Sequence, residues 1–183
     1  MQWLDLYRYF RKLRSDDDIQ HINYFTAPLT GSANVAQQAY LDALAAQPLI
    51  NLVPGKYQVQ LTDCGVEQCM HQGPRRFFQY KEKRTDVNIA LRMANDTFQN
   101  ECDRLVLVTG DSDLVPAVQL VRQLGKKVNL YVPTIDEDRY VASELRGVAD
   151  MSKNLPLANL VDYQFPEKIP DGKGGFIAKN PAW

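Results

Sequence analysis

Residues 105–116 read Leu105-Val106-Leu107-Val108-Thr109-Gly110-Asp111-Ser112-Asp113-Leu114-Val115-Pro116, and this stretch decides the fold class. An apolar strand runs into Gly110, two carboxylates follow at once, and a helical pattern begins near residue 114. In open parallel sheets, ligands bind outside the carboxyl ends of the strands. Two hard oxygen donors placed there, with one residue between them, suit Mg²⁺ or Mn²⁺. The chemistry this points to is metal-dependent attack on a phosphodiester.

Working outward, the pattern predicts a helix over residues 114–124 closing at Gly125, a strand over 127–132 and a helix over 137–148. Upstream it predicts a helix over 86–100. Trp3, Leu4, Leu6, Tyr7, Phe10 and Leu13 recur at helical spacing, so residues 3–14 read as an amphipathic helix, broken at Asp16–Asp18. A strand follows over 19–25, a helix over 33–46 and a strand over 50–53, which residues 57–61 extend or pair with. Residues 62–76 read as irregular, and 77–80 as extended. Residues 156–183, with Pro156, Pro166, Pro170 and Gly172-Lys173-Gly174-Gly175, read as an extended tail laid on a domain of residues 1–155. Strands alternating with helices argue for an α/β fold, a mainly parallel sheet with helices on both faces.

A chain of 183 residues fits one domain and can bury roughly 70% of its unfolded surface. A net charge of −1 carries no bulk signal for nucleic acid, so any such contact must come from a local patch. Apolar stretches fall far short of a membrane span, and the first residues lack a secretory pattern. Three cysteines fit reduced thiols in a cytoplasmic setting better than a disulfide framework.

Two segments together resemble the NYN domain, the LabA-like branch of the PIN-like nucleases. They are Tyr80-Lys81-Glu82-Lys83-Arg84-Thr85-Asp86-Val87-Asn88-Ile89-Ala90 and Leu107 through Pro116. Supporting matches are Trp3-Leu4-Asp5-Leu6, Tyr24-Phe25-Thr26-Ala27 and Gly125-Lys126-Lys127-Val128. The resemblance implies a PIN-like, Rossmann-like fold and a Mg²⁺- or Mn²⁺-dependent ribonuclease activity in active members. It matches Asp86, Asp111 and Asp113 to three acids of the family's cluster. The family's further acid, an Asp ending a first central strand of the type Ile-Asp-Gly-x-Asn-Leu, has no counterpart here. The expectation is therefore that the natural chain has about 15 to 25 residues upstream supplying that strand. Without it, a central ladder would be open and dimerisation favoured.

Each candidate has an ordinary structural explanation. Asp113 suits a helix cap before Leu114, with Asp111 a turn residue, and Thr85 or Asp86 suits a cap of the next helix. Capping explains one acid after the strand but not two. Lys81, Lys83 and Arg84, with Arg75 and Arg76, form the compact basic run, interleaved with Phe77, Phe78 and Tyr80. They offer charge for RNA phosphates and rings for bases, unless the aromatics lie in the core. Lys83 and Arg84 are the leading RNA contacts, and Asn88 and Ser112 are polar neighbours suited to orient water or phosphate. Cys64, Cys69 and His71 supply three possible zinc ligands at loose spacing, with Cys102 and His21 the other soft candidates. No Gly-x-Ser-x-Gly elbow or Walker A loop is present. The function expected is a metal-dependent ribonuclease acting on single-stranded RNA. The alternatives are a catalytically inactive RNA- or protein-binding module, and a metal-dependent phosphatase.

Overall fold

The structure is a computed structural model that describes residues 3–29, 34–67, 69–70, 73, 75–134 and 141–180. In chain order its elements are α1 (Leu6–Leu13), β1 (Ile22–Thr26), α2 (Asn34–Ala45), β2 (Ile50–Pro54), β3 (Lys56–Asp63), β4 (Arg76–Lys83), α3 (Thr85–Phe98) and β5 (Arg104–Val108). A 3₁₀ turn (Ser112–Leu114), α4 (Val115–Gln123), β6 (Lys127–Val132), α5 (Ser143–Val148) and β7 (Met151–Asn154) follow. A 3₁₀ helix (Leu157–Tyr163) and the short strands β8 (Lys168–Pro170) and β9 (Phe176–Ala178) complete the chain.

The mixed α/β architecture with parallel strands matches the sequence expectation, but the parallel strands form two ladders rather than one sheet. One pairs β1 with β2, and the other runs β5-β6-β7. Among the described residues, no strand pairs with the second edge of β1 or of β5.

Both faces of the three-stranded ladder are covered, because its strands point alternate side chains to opposite sides. Val128, Leu130 and Val132 face a core built with Met93 of α3, Val118 and Val121 of α4 and Leu145 of α5. Tyr131 faces the other way, toward Tyr9 of α1 and Leu160. A separate core joins Leu6 of α1 and Leu44 of α2 to Ile50, Trp3, Phe165 and Ile169, with Ile22 and Leu52 packed against it. Helix α1 thus serves both ladders, Leu6 toward one and Tyr9 toward the other. Its C-terminal end is tied down by charge: Asp17 accepts from Arg14 at 2.7 Å and from Arg104 of β5 at 2.9 Å. These hydrogen bonds, the one from Arg14 above all, hold the Asp17 carboxyl below its ordinary value.

Several local expectations need correction. The first helix begins at Leu6, not residue 3: Asp5 is its cap, accepting from Arg8 N, while Leu4 bridges to Gln164. Residues 57–61 do not extend β2; they lie in β3, which pairs antiparallel with β4 from Lys56↔Lys83 to Asp63↔Arg76. The predicted helix over 137–148 is seen only as α5, with residues 135–140 outside the described set. Residues 157–178 pack against the rest of the chain, but as a 3₁₀ helix and two short strands rather than one extended segment. Leu160, Phe165 and Ile169 are buried, and Trp3 Nε1 donates to Pro166 O at 2.8 Å.

Candidate functional site

The candidate site is assembled where the carboxyl end of β5 meets the first turn of α3. The Asp111 carboxylate accepts from Asp113 N at 2.9 Å, and Asp111 N donates to Thr109 Oγ1 at 3.1 Å. The capping role thus falls to Asp111, and Asp113 sits one step inside the 3₁₀ turn. The short turn also explains the spacing: both acids stay exposed on the rim while Leu114 and Val115 enter the core.

Neither Thr85 nor Asp86 caps α3. The cap position is Arg84, held at φ 77° with no side-chain cap, and the Thr85 hydroxyl donates to Glu82. Asp86 stands in the first turn, where the helix dipole favours an acid. Although exposed as a residue, its carboxyl is partly desolvated against the rim. Burial raises its pKa, and the charges of Asp111 and Asp113 raise it further, with Glu82 adding a smaller push. Asp86 therefore feels both acids that follow β5. Among the described residues, however, no three His, Cys, Asp or Glu side chains converge closely enough to form a metal-binding group.

The sign of this shift yields a prediction. A carboxyl whose folded pKa is raised favours the fold below the ordinary carboxylate range and loses that contribution as pH rises through the raised value. At neutral pH ionised Asp86 works against the fold. Asp86→Asn is expected to raise Tm at pH 7 and leave it nearly unchanged at pH 3, read by thermal melts in metal-free buffer. A lower Tm at pH 7 would mean that the charge is needed structurally.

Gly55 sets the distance between this turn and the β2–β3 link. A Cβ there would lie 2.6 Å from Thr85 Oγ1 and 3.0 Å from Lys83 O, whereas one at Gly110 would meet only Val132 Cγ1 at 3.7 Å. Gly55→Ala should therefore destabilise by about 1–3 kcal/mol through overpacking and displace the start of α3. Gly110→Ala should be close to neutral. Urea denaturation of the two variants would refute the packing argument if they unfolded alike.

Lys83 and Arg84 are exposed beside this turn and form no ion pair among the described residues. Ser112 is exposed in the 3₁₀ turn, while the Asn88 amide is already engaged, donating to Pro54 O at 3.3 Å. Strands β3 and β4 stand out as a two-stranded ribbon whose aromatics are not core residues. Phe77 is 51% exposed, Phe78 70% and Tyr80 61%. Sequence reasoning did not find that Glu82 and Gly55 shape the site, because both act through contacts made only when β4, β2 and α3 meet. Of the zinc candidates, Cys64 and Cys69 are half-buried free thiols, and His71 lies outside the described residues.

These features define an α/β protein with an acidic rim at the carboxyl end of a parallel ladder. The chain belongs to the NYN domain family, whose model matches residues 2–154, and through it to the PIN-like superfamily of nuclease-like, RNA-related domains. It is also similar to the 6-hydroxy-3-succinoylpyridine 3-monooxygenase HspA of Pseudomonas putida, 27% identical over 205 residues that cover 94% of this chain and 66% of the relative. The chain thus spans about two thirds of that relative's length. No solved structure matches the chain significantly. Among the described residues, no helix is long and apolar enough to cross a membrane.

Proposed function

We propose that this protein is a divalent-metal-dependent ribonuclease that cuts single-stranded RNA at the acidic rim. What supports the reading is that Asp111 and Asp113 follow the carboxyl end of β5 against the first turn of α3, which carries Asp86. Acids held within one another's field are disfavoured unless a cation joins them. The hard oxygen donors of Asp86, Asp111 and Asp113 fit Mg²⁺ or Mn²⁺. When bound, such an ion lowers the pKa of a water and polarises the scissile phosphate. The chain's own share of the work is to hold that ion, orient the water through the carboxylates and bind the phosphate backbone through Lys83 and Arg84. Ser112 and Asn88 contribute polar contacts, Asn88 after releasing Pro54. The free thiols agree with a reducing, cytoplasmic setting.

A second reading, a catalytically inactive NYN module that holds RNA or a protein, is favoured by the lack of a converged three-residue metal group among the described residues. The relative's name raises a third, hydroxylation of a pyridine ring. The test is cleavage of end-labelled single-stranded RNA with Mn²⁺ or Mg²⁺ against an EDTA control. Metal-dependent cutting is expected. RNA bound but never cut would favour the inactive module, and dioxygen consumption with 6-hydroxy-3-succinoylpyridine would overturn the ribonuclease reading.

A further inference from the structure

We propose that one face of the β3–β4 ribbon is a base-stacking platform that delivers single-stranded RNA to the acidic rim. This rests on the RNA reading of the site. Residues directly opposite each other in an antiparallel pair share a face. The register places Tyr57 opposite Glu82, Val59 opposite Tyr80 and Leu61 opposite Phe78, so one face carries Tyr57, Val59, Leu61, Phe78 and Tyr80 together. The other face carries Lys56 opposite Lys83 and Gln58 opposite Lys81, with no acid among these partners.

Cross-strand pairing of rings with aliphatic side chains helps hold an otherwise marginal two-stranded ribbon. Pairing does not use up the rings, however: Phe78 and Tyr80 remain 70% and 61% exposed, and Val59 and Leu61 52% each. An exposed apolar strip of this kind marks an interaction surface.

Charge selects the occupant. The two strands carry Lys56, Arg76, Lys81 and Lys83 against Asp63 and Glu82, in a chain whose net charge is −1; the three lysines share the face opposite the rings, and Arg76, Asp63 and Glu82 flank the rings. Asp63 is already matched by Arg76 at 2.7 Å. The three lysines form no ion pair among the described residues, and Lys56 and Lys83 repel across the strands. A polyanion relieves that repulsion. A single strand laid along the ribbon offers flat bases to the ring face and phosphates to the lysines, which must reach round the ribbon's edge from the opposite face. The ring face is also continuous with the site, since it ends at Glu82, which accepts from the Thr85 hydroxyl next to Asp86 in the first turn of α3.

The test measures binding of fluorescein-labelled oligo(A) and oligo(U) RNA in an Asp111→Asn background, which keeps the RNA intact. Replacing Phe78 and Tyr80 together by Ala should weaken binding of both oligomers at least about 10-fold without changing the salt dependence. Lys81→Gln or Lys83→Gln should lower the slope of log K against log salt by about 1. Tyr80→Trp should keep binding, and the emission it adds to that of Trp3 and Trp183 should be quenched as a base stacks; circular dichroism checks that the ribbon variants fold. Unchanged RNA affinity in the double Ala variant would overturn the proposal. So would a concentration-dependent dimer, seen by light scattering, that the double variant abolishes without losing RNA. Ring-dependent binding by a chain that never cuts would sink the ribonuclease reading alone, and ring-independent cutting would sink the platform alone.

Discussion

Asp111→Asn is expected to lower metal-dependent RNA cleavage by about 100-fold or more while leaving the fold intact. Groups one step removed from a metal ligand commonly cost 10–100-fold when lost, so a ligand that surrenders its charge should cost at least as much. The fold should survive because the present role of Asp111 needs only an acceptor. Its carboxylate takes a hydrogen bond from Asp113 N, and Asn caps nearly as well as Asp. The pairing of the two readouts is what discriminates. A purely structural Asp111 would show neither loss, since Asn keeps the cap. Unchanged cleavage in a folded variant would remove Asp111 from the chemistry.

The second large effect concerns stability. Trp3→Ala should destabilise by about 3–5 kcal/mol, a large fraction of the ~5–15 kcal/mol that holds a typical domain together. Trp3 is fully buried, packs edge-on against Phe165 with ring centroids 5.8 Å apart, and lies 6.3 Å from the Tyr40 ring. Truncation would leave a cavity where α1, α2 and the C-terminal segment meet, and would remove the donor from Pro166 O. Trp3→Phe keeps a ring but loses the N–H donor, and should fall between the two. Equal denaturation midpoints for wild type and Trp3→Ala would mean that residues 157–178 contribute nothing to global stability.

Much of this was legible in the sequence, and the gaps have physical causes. Strands β5 and β6 stood out because Leu105–Val108 and Val128–Val132 are apolar runs with turn signals between them. Strand β7, Met151-Ser152-Lys153-Asn154, was missed: its pairing with β6 is a backbone matter and its side chains carry no alternation. The C-terminal segment misled through its prolines and glycines, which end regular elements without preventing Phe165 and Ile169 from packing. The three acids were legible as a set, but their local roles were not. Which acid caps depends on a two-residue difference in where the helical turn begins, Ser112 rather than Leu114, and the left-handed Arg84 carries no side-chain signature. The two faces of the ribbon became visible only once the register across β3 and β4 was fixed.

The division of the parallel strands into two ladders gives helices α1 and α3 a joining role. No backbone hydrogen bonds join β1 to β5 among the described residues, so the ladders are clasped by α1 and its Asp17 knot on one side and by α3 on the other. Each ladder keeps a core of its own, and side chains make the joint between them. The acids ride with one ladder, since α3 and the 3₁₀ turn share the core of β5 and β6. The ribbon hangs between the two, joined to β2 at Gly55 and to α3 at Arg84. A change in the core of β5 and β6 therefore bears on the acids directly, whereas one in the core of β1 and β2 reaches them only through α1, α3 and the ribbon.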